Sequence, residues 1–273
     1  MKSEKLVIVG SSGLIGKSLF TIAQKYFSSI VCLGSDFVIS YEGENRVPSI
    51  REDKLGWSDL DIHIDTNTLV INTSWGRNTI GDRNSEIQME FADREIKLIK
   101  KVKGKILNYI SLGSIAEIGD SKISPSNNTL YSKAKKKIFF ELQESGIPHL
   151  WIRLASIYGH NDRRDWLMNQ LVAQSKSAKR IELKTPNQLI NLCQSDSLAE
   201  EILKIEKIKL GAALNFYTKQ WVTVDELANS FETFKEPKIS LVSSAFFTEN
   251  DPSGHLIETP PILNFIRSSI SRE

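Results

Sequence analysis

The sequence predicts an α/β fold, a doubly wound, Rossmann-like parallel sheet with a small C-terminal part. Three observations predict it. The stretch Lys5 to Phe20, KLVIVGSSGLIGKSLF, carries an apolar run into Gly10, Gly13 and Gly16 and then into a helical pattern. Beyond it, short continuous apolar runs alternate with amphipathic stretches, as strands and helices do in a parallel sheet. Finally, 273 residues suffice for one large α/β domain with a modest appendage.

The first unit is the most informative. Leu6, Val7, Ile8 and Val9 form the uninterrupted apolar run of a strand covered on both faces, and Leu14, Ile15, Leu19 and Ile22 recur at helical spacing. Between them the glycines let backbone approach a pyrophosphate, while the open N–H groups at the helix start face its charge. Gly10, Ser12, Gly13, Leu14, Ile15 and Gly16 are therefore the expected cofactor-binding turn. Ser29 to Gly34 follows as a second strand at the spacing of a dinucleotide-binding unit. An acid at the end of that strand would hold the ribose of NAD and repel the extra phosphate of NADP. Here Gly34 and Ser35 stand at that point with Asp36 just beyond, so the cofactor is NAD or NADP, with a lean to NADP.

The stretch from Phe37 to Asp65 is expected to be irregular, with one edge strand. Thr68 to Thr73 is the next buried strand, and Thr73, Ser74 and Trp75 lie where the sheet edge meets the cofactor. Trp75 is a candidate wall of the nicotinamide or substrate pocket, and equally a packing aromatic. Ser85 to Val102 reads as an amphipathic helix ending in a solvated lysine cluster, and Lys105 to Ser111 as a strand leading to Leu112-Gly113-Ser114. Tyr131 to Ser145 is a helix stopped by Gly146 and Pro148, and His149 to Ala155 a strand. Further on come a helix at Asp165 to Ser177, a strand at Leu189 to Cys193, a helix at Ser195 to Ile208 and a strand at Ala213 to Phe216. Thr223 with Glu226 reads as a capping box, and Ile239 to Ser243 as a strand-like run. Residues 1–160 are thus expected to form the dinucleotide-binding core, and 161–273 mostly a substrate-side lobe interleaved with the core strands.

Composition removes several classes of function. A formal net charge of +2 gives no general attraction to nucleic acid or an anionic membrane. No apolar run approaches the length of a membrane span, and the charged start MKSEK runs straight into the first strand without a cleavable signal, so the cytoplasm is the expected location. Cys32 and Cys193 stand apart in apolar runs and read as buried free thiols; no metal is expected.

Tyr131-Ser-Lys-Ala-Lys135 places a phenol and an ammonium one helical turn apart, on one face. A cation beside a phenol stabilises the phenolate, and a tyrosine so tuned exchanges a proton with a carbinol oxygen while hydride moves at a nicotinamide ring. Ser114, at the end of the preceding strand, can reach the same oxygen. With the glycine turn, these residues resemble the extended short-chain dehydrogenase/reductase family, its NAD-dependent epimerase/dehydratase group. The resemblance implies Ser114, Tyr131 and Lys135 as the catalytic residues, with Tyr131 and Lys135 also touching the cofactor and Lys135 holding the nicotinamide ribose. It extends to Trp151–Gly159 (WIRLASIYG) with Arg153 and Tyr158, to the stretch around Asp196, and to Ala213-Leu-Asn215 with Thr223 and Glu226-Leu227, covering about residues 5–230.

Two departures narrow the chemistry that the resemblance implies. The acidic pair of the family's dehydratases is replaced by Ile115-Ala116 after Ser114, and Leu189 stands where an arginine often grips the substrate diphosphate. Arg163 and Arg164 are alternative phosphate-binding residues, because guanidinium forks match phosphate oxygens. The expectation is an NAD(P)-dependent reductase of a keto group on a sugar, nucleotide-linked in the sense the family implies. The alternatives are a nucleotide-sugar epimerase and a non-catalytic cofactor-binding scaffold. A homodimer is the commonest symmetric assembly.

Overall fold

The computed structural model describes residues 5–33, 38–42, 60–75, 83–118, 128–160, 162, 166–175, 182–205, 211–219, 221–233 and 254–270. In chain order the first elements are β1 (Lys5–Val9), α1 (Leu14–Ala23), β2 (Ser29–Leu33), β3 (Val38–Glu42), α2 (Leu60–His63), β4 (Thr68–Asn72) and α3 (Ile87–Val102). Next come β5 (Asn108–Ser114), a single 3₁₀ turn (Ile115–Glu117), α4 (Leu130–Ser145), β6 (His149–Leu154), β7 (Ser156–Tyr158) and α5 (Leu167–Ser175). The last are β8 (Leu189–Gln194), α6 (Ser195–Lys204), β9 (Ala212–Tyr217), β10 (Trp221–Thr223), α7 (Val224–Thr233), β11 (Gly254–Leu256) and α8 (Ile262–Ile270).

Eight strands form one sheet in the order β11-β9-β6-β5-β4-β1-β2-β3, parallel throughout except for β3, which lies antiparallel on the β2 edge. The doubly wound fold is therefore as expected, and so is an edge strand within 37–65. The continuous apolar runs have the cause read from them: both faces are covered. Leu6, Ile8, Ile71, Ile110 and Ile152 pack beneath α1 and α6, while Val7, Val9, Val70, Tyr109 and Trp151 pack beneath α3 and α4. Successive residues of one strand thus enter opposite layers. The chain reverses its direction across the sheet between β1 and β4, which puts their carboxyl ends at a topological switch point where ligands bind in such folds.

Several boundaries differ from expectation. β5 begins at Asn108, after a turn in which Gly104 takes φ 73, and runs on to Ser114 because Gly113 and Ser114 pair with Arg153 and Leu154 of β6. α4 starts at Leu130, where the Thr129 hydroxyl accepts the Ser132 N–H at 3.3 Å, and ends where left-handed Gly146 closes it. Ser156 to Tyr158, read only as a strand exit, leaves the large sheet and founds a second one of order β10-β8-β7. The Leu189 strand belongs to this small sheet. Its core of Tyr158, Met168, Leu171, Leu192, Leu227 and Phe265 is roofed by α5, α7 and α8. The described elements beyond 160 are therefore shared: β9, β11 and α6 complete the large layers, and β8, β10, α5, α7 and α8 build the small sheet and its cover.

Thr223 caps α7 as expected, accepting the Glu226 N–H at 3.1 Å. Asp196 does not cap α6. It instead accepts the Ser18 hydroxyl at 2.5 Å, and Ser18 also donates to Ser195 at 3.0 Å, which ties α6 to α1. Both cysteines are buried free thiols, and burial pushes each up to about 12. The lysines at and just after the end of α3 are partly paired, Lys101 and Lys105 with Asp61 and Lys100 with Glu141, solvent-facing pairs of small worth. Among the described residues no helix is long and apolar enough to cross a membrane, and none of their acidic, histidine or cysteine side chains cluster as metal ligands. The run Ile239 to Ser243 lies outside the described residues.

Candidate active site

The glycine turn closes β1 onto α1. Gly10 adopts φ 83, and its N–H donates to the Leu33 carbonyl at 2.8 Å, fastening the turn to the end of β2. A Cβ on Gly10 would stand 2.6 Å from the Ser74 nitrogen, and one on Gly16 would overlap the Gly10 carbonyl oxygen. The turn is thus a cradle kept open by missing side chains. Gly13 is the N-cap of α1 and supplies no side-chain acceptor, which leaves the first-turn N–H groups of Leu14 and Ile15 for an anion. These residues fit the pyrophosphate of a dinucleotide. Ser12 is half-buried in the same turn. Thr73 is adjacent, but its side chain braces the turn. Its hydroxyl donates to the Val9 and Gly10 carbonyls at 3.0 and 3.2 Å, pinning the turn to β4. Ser35 and Asp36, expected to select between NAD and NADP, lie outside the described residues.

The second half of the site rises from β5 and α4. The Ser114 hydroxyl accepts the Ala116 N–H at 3.2 Å, while its backbone N–H donates to Glu117 Oε1 at 2.6 Å, a capping box around the 3₁₀ turn. Ser114 Oγ is an acceptor within the protein, and its O–H remains able to donate as well. Lys135 is buried and donates to the Leu112 carbonyl at 2.8 Å, two residues before Ser114 in β5. Its ammonium also lies 3.6 Å from the centroid of the Trp75 ring, a cation–π contact. Tyr131, half-buried one turn before Lys135, meets Trp75 edge to face at 5.6 Å. Tyr131, Lys135 and Trp75 thus stand together beside the carboxyl ends of β4 and β5, and the Lys135–Leu112 bond ties them to the strand that ends in Ser114. Trp75 is held there by Phe91 at 5.5 Å and by a 3.1 Å hydrogen bond from its Nε1 to Gln88. The other two expected substrate residues, Arg163 and Arg164, lie outside the described residues.

Four residues that the sequence did not single out complete the surroundings. Arg83 stands with its guanidinium 5.6 Å from the centre of the Tyr131 ring, and its carbonyl accepts the Tyr131 N–H at 2.9 Å. Glu117 is buried and accepts from the Ser114 N–H, from Trp151 Nε1 at 3.0 Å and from Arg153 Nε at 3.2 Å. Gly113 makes room for it, since a Cβ there would lie 2.5 Å from the Glu117 carboxylate. Glu95 of α3 is buried on the core side and accepts from the Ser111 hydroxyl and, at 3.5 Å, from Tyr109. Burial raises both carboxyls above the usual range, opposed at Glu117 by the Ser114 N–H and Arg153, and at Glu95 by Lys135 and its hydroxyl donors. Burial lowers the Lys135 ammonium, against the field of Glu95 and then of Glu117. Glu117 had one legible signal, an acid amid an apolar turn next to Ser114; Glu95 had none, since it reads as one charge among many on an amphipathic helix.

The other residues of the resemblance have structural partners. Arg153 pairs with Glu117 and donates to Asn215 at 3.4 Å, and Tyr158 is buried edge to face against Phe265. Replacing Glu117 by Ala leaves the Ser114, Trp151 and Arg153 donors facing no carboxylate. The expected cost is about 3 kcal/mol, because the change strands one partner of a buried ion pair. Urea unfolding checks this, and a midpoint equal to wild type would show that solvent replaces the carboxylate freely.

No protein-family model matches the chain. A CDP-abequose synthase of Yersinia pseudotuberculosis is 24% identical over 250 residues, covering 87% of each protein. Solved structures agree in shape at lower identity. A UDP-N-acetylglucosamine 4-epimerase of Methanobrevibacter ruminantium superposes with a TM-score of 0.70 at 15% identity, over 99% of this chain and 98% of its own. The Bordetella bronchiseptica enzyme WbmF in complex with NADH gives 0.69 at 12% identity, over 98% and 91%. A UDP-glucuronic acid 4-epimerase of Bacillus cereus, solved with NAD, gives 0.69 at 17% identity, over 84% and 82%. The chain has the fold of the extended short-chain dehydrogenases/reductases, the NAD-dependent epimerase/dehydratase group that its glycine turn, Ser114 and Tyr131–Lys135 pair resemble.

Proposed function

We propose that the chain is an NAD(P)-dependent oxidoreductase that reduces a keto group on a nucleotide-linked sugar. The observation that carries this reading is the bond from Lys135 to the Leu112 carbonyl, which locks the Tyr131–Lys135 helix to the strand that ends in Ser114. The similarity to a CDP-abequose synthase over most of both chains supports a sugar nucleotide as the substrate class. A bound nicotinamide cofactor supplies hydride. The residues proposed to hold it are Gly10, Ser12, Gly13, Leu14, Ile15 and Gly16 at the pyrophosphate and Tyr131 and Lys135 at the ribose, with Thr73 shaping the turn. The Ser114 hydroxyl donates a hydrogen bond to the substrate carbonyl oxygen and orients it, keeping its own proton. Tyr131 delivers a proton to that oxygen, and the Lys135 cation offsets the negative charge left on the phenolate. Trp75 walls the reacting end of the pocket, and Arg163 and Arg164 are proposed for the diphosphate. An enzyme that consumes reduced cofactor and sugar nucleotides is proposed to work in the cytoplasm, as a homodimer.

Titration of the purified protein with NADH and with NADPH, followed by tryptophan fluorescence, tests the first half of the reading, because Trp75 adjoins the proposed nicotinamide site. Keto-sugar nucleotides are then added and the loss of reduced nicotinamide is followed. Binding of one cofactor and its net consumption are expected. Binding of neither would sink the reading, and binding of one without turnover would favour a cofactor-binding regulator or scaffold. A nucleotide-sugar epimerase is the second reading, supported by the epimerases of the same fold. It requires cofactor that copurifies and is never consumed.

A further inference from the structure

Lys135 sits in a setting that disfavours its charge. It is a buried ammonium with one hydrogen bond, to a neutral carbonyl, and an indole face for a neighbour. A cation so placed loses its proton readily unless an opposite charge lies near. Two buried glutamates lie on elements packed against its helix, the turn after β5 and α3. Glu117, on the turn after β5, is already bonded to the Arg153 guanidinium. Glu95, on α3 where that helix packs against α4, has no cation within salt-bridge distance among the described residues, and its field on Lys135 is the stronger of the two. The other groups around Glu95 are donors from the sheet: the Ser111 and Tyr109 hydroxyls of β5, with Asn72 of β4 beside them. Hydroxyl donors aimed at a carboxyl favour its ionised form. Tyr109 itself is held well above its ordinary value, first by burial and then by the Glu95 charge, so it does not titrate in the working range. Among the described residues, Tyr131 stands one turn from Lys135, with Arg83 over its ring.

From this arrangement we infer that Glu95 is a positioning residue, the buried counter-charge that keeps the Lys135 ammonium protonated and thereby sets the upper pH limit at which Tyr131 can work. The inference rests on the proposed role of Lys135 beside Tyr131. Glu95 touches neither substrate nor cofactor and acts through Lys135 alone. Its sign is independent of how protons are shared between Lys135 and Tyr131. Removing a negative charge lowers the proton affinity of every group near it, so both titrations of the coupled pair move down together. A buried carboxylate without a direct ion pair also costs stability, so a purely structural part for Glu95 is the opposite expectation: neutralising it should not loosen the fold.

The decisive experiment is a pH titration of the whole protein without ligand, with lysine isotopically labelled at Cε and the Lys135 signal assigned by its loss in Lys135→Gln. In Glu95→Gln the Lys135 midpoint is expected to fall by about one pH unit, the lower end of the effect of a nearby opposite charge, with a Tm no lower than wild type. Glu95→Asp, which keeps the charge, should retain most of the wild-type midpoint. Ser111→Ala removes a hydroxyl donor from the carboxylate but no charge, and should move the midpoint down by a smaller step. The alkaline limb of kcat should follow the midpoint. An unmoved midpoint in Glu95→Gln overturns the inference, as does an equal fall in Glu95→Asp. Since this readout needs no cofactor or substrate, failure of the reductase reading would appear separately, as absent NAD(P)H binding with the Lys135 shift intact.

Discussion

Tyr131→Phe is expected to lower turnover of a keto-sugar nucleotide by about 10³-fold, within the range that a positioned proton donor contributes, and to leave NAD(P)H binding within about twofold of wild type. The reason lies in what the substitution keeps. The ring that meets Trp75 edge to face and underlies the Arg83 guanidinium is retained, as is the backbone N–H bonded to the Arg83 carbonyl. Only the phenolic oxygen is lost. Lys135 keeps its bond to Leu112, so its proposed hold on the ribose is unaffected. Steady-state kinetics on the substrate that the wild type reduces fastest, paired with a fluorescence titration of the cofactor, separates the two effects. Equal loss of turnover and cofactor affinity would mean that Tyr131 is structural, and the proposed mechanism would fail.

Gly10→Ala and Gly16→Ala are expected to weaken cofactor binding by about thirtyfold or more, corresponding to roughly 2 kcal/mol of backbone displacement and strain. At Gly10 two penalties add: a φ of 83 that a Cβ disfavours, and a Cβ only 2.6 Å from the backbone of Ser74. At Gly16 the helix would ordinarily welcome alanine, but the new methyl meets the Gly10 carbonyl and must push the turn off α1. Neither neighbour is the tip of a flexible side chain, so the strain has no cheap release. Gly104→Ala is the control. It too has a positive φ, 73, but nothing lies within 4 Å of the added Cβ, so it costs some stability and leaves cofactor affinity unchanged. If all three variants bind cofactor equally well, the turn is not the pyrophosphate site.

What could be read along the chain was whatever local physics imposes. A strand buried on both faces must be largely apolar, so β1 and β4 announced themselves as short apolar runs. A turn that brings backbone to a pyrophosphate must lack side chains, so Gly10, Gly13 and Gly16 marked the proposed cofactor turn. One helical turn is about four residues, so Tyr131 and Lys135 had to share a face. Each of these constraints acts within a few residues, so the order of residues was enough to reveal it.

Whatever depends on residues far apart emerged only when the elements packed. Ser156 to Tyr158 carries no mark of leaving the large sheet; only pairing with β8 makes it found a second one. Asp196 reads as one acid at the start of its helix, yet the Ser18 hydroxyl of another helix claims it. Gly113 carries no mark of its role until Glu117 and Trp151 are seen to fill the space it leaves. The charge on Lys135 is the clearest case. Its helix supplies a run of exposed lysines, and nothing in that run tells that this one is buried against Trp75, Leu112 and the field of Glu95. Burial and the sum of nearby charges belong to the packed molecule, because both depend on which distant elements fold against the group. The residues of the site could thus be named from spacing, while the protonation states on which their chemistry depends were set by α3, β5 and α4 coming together.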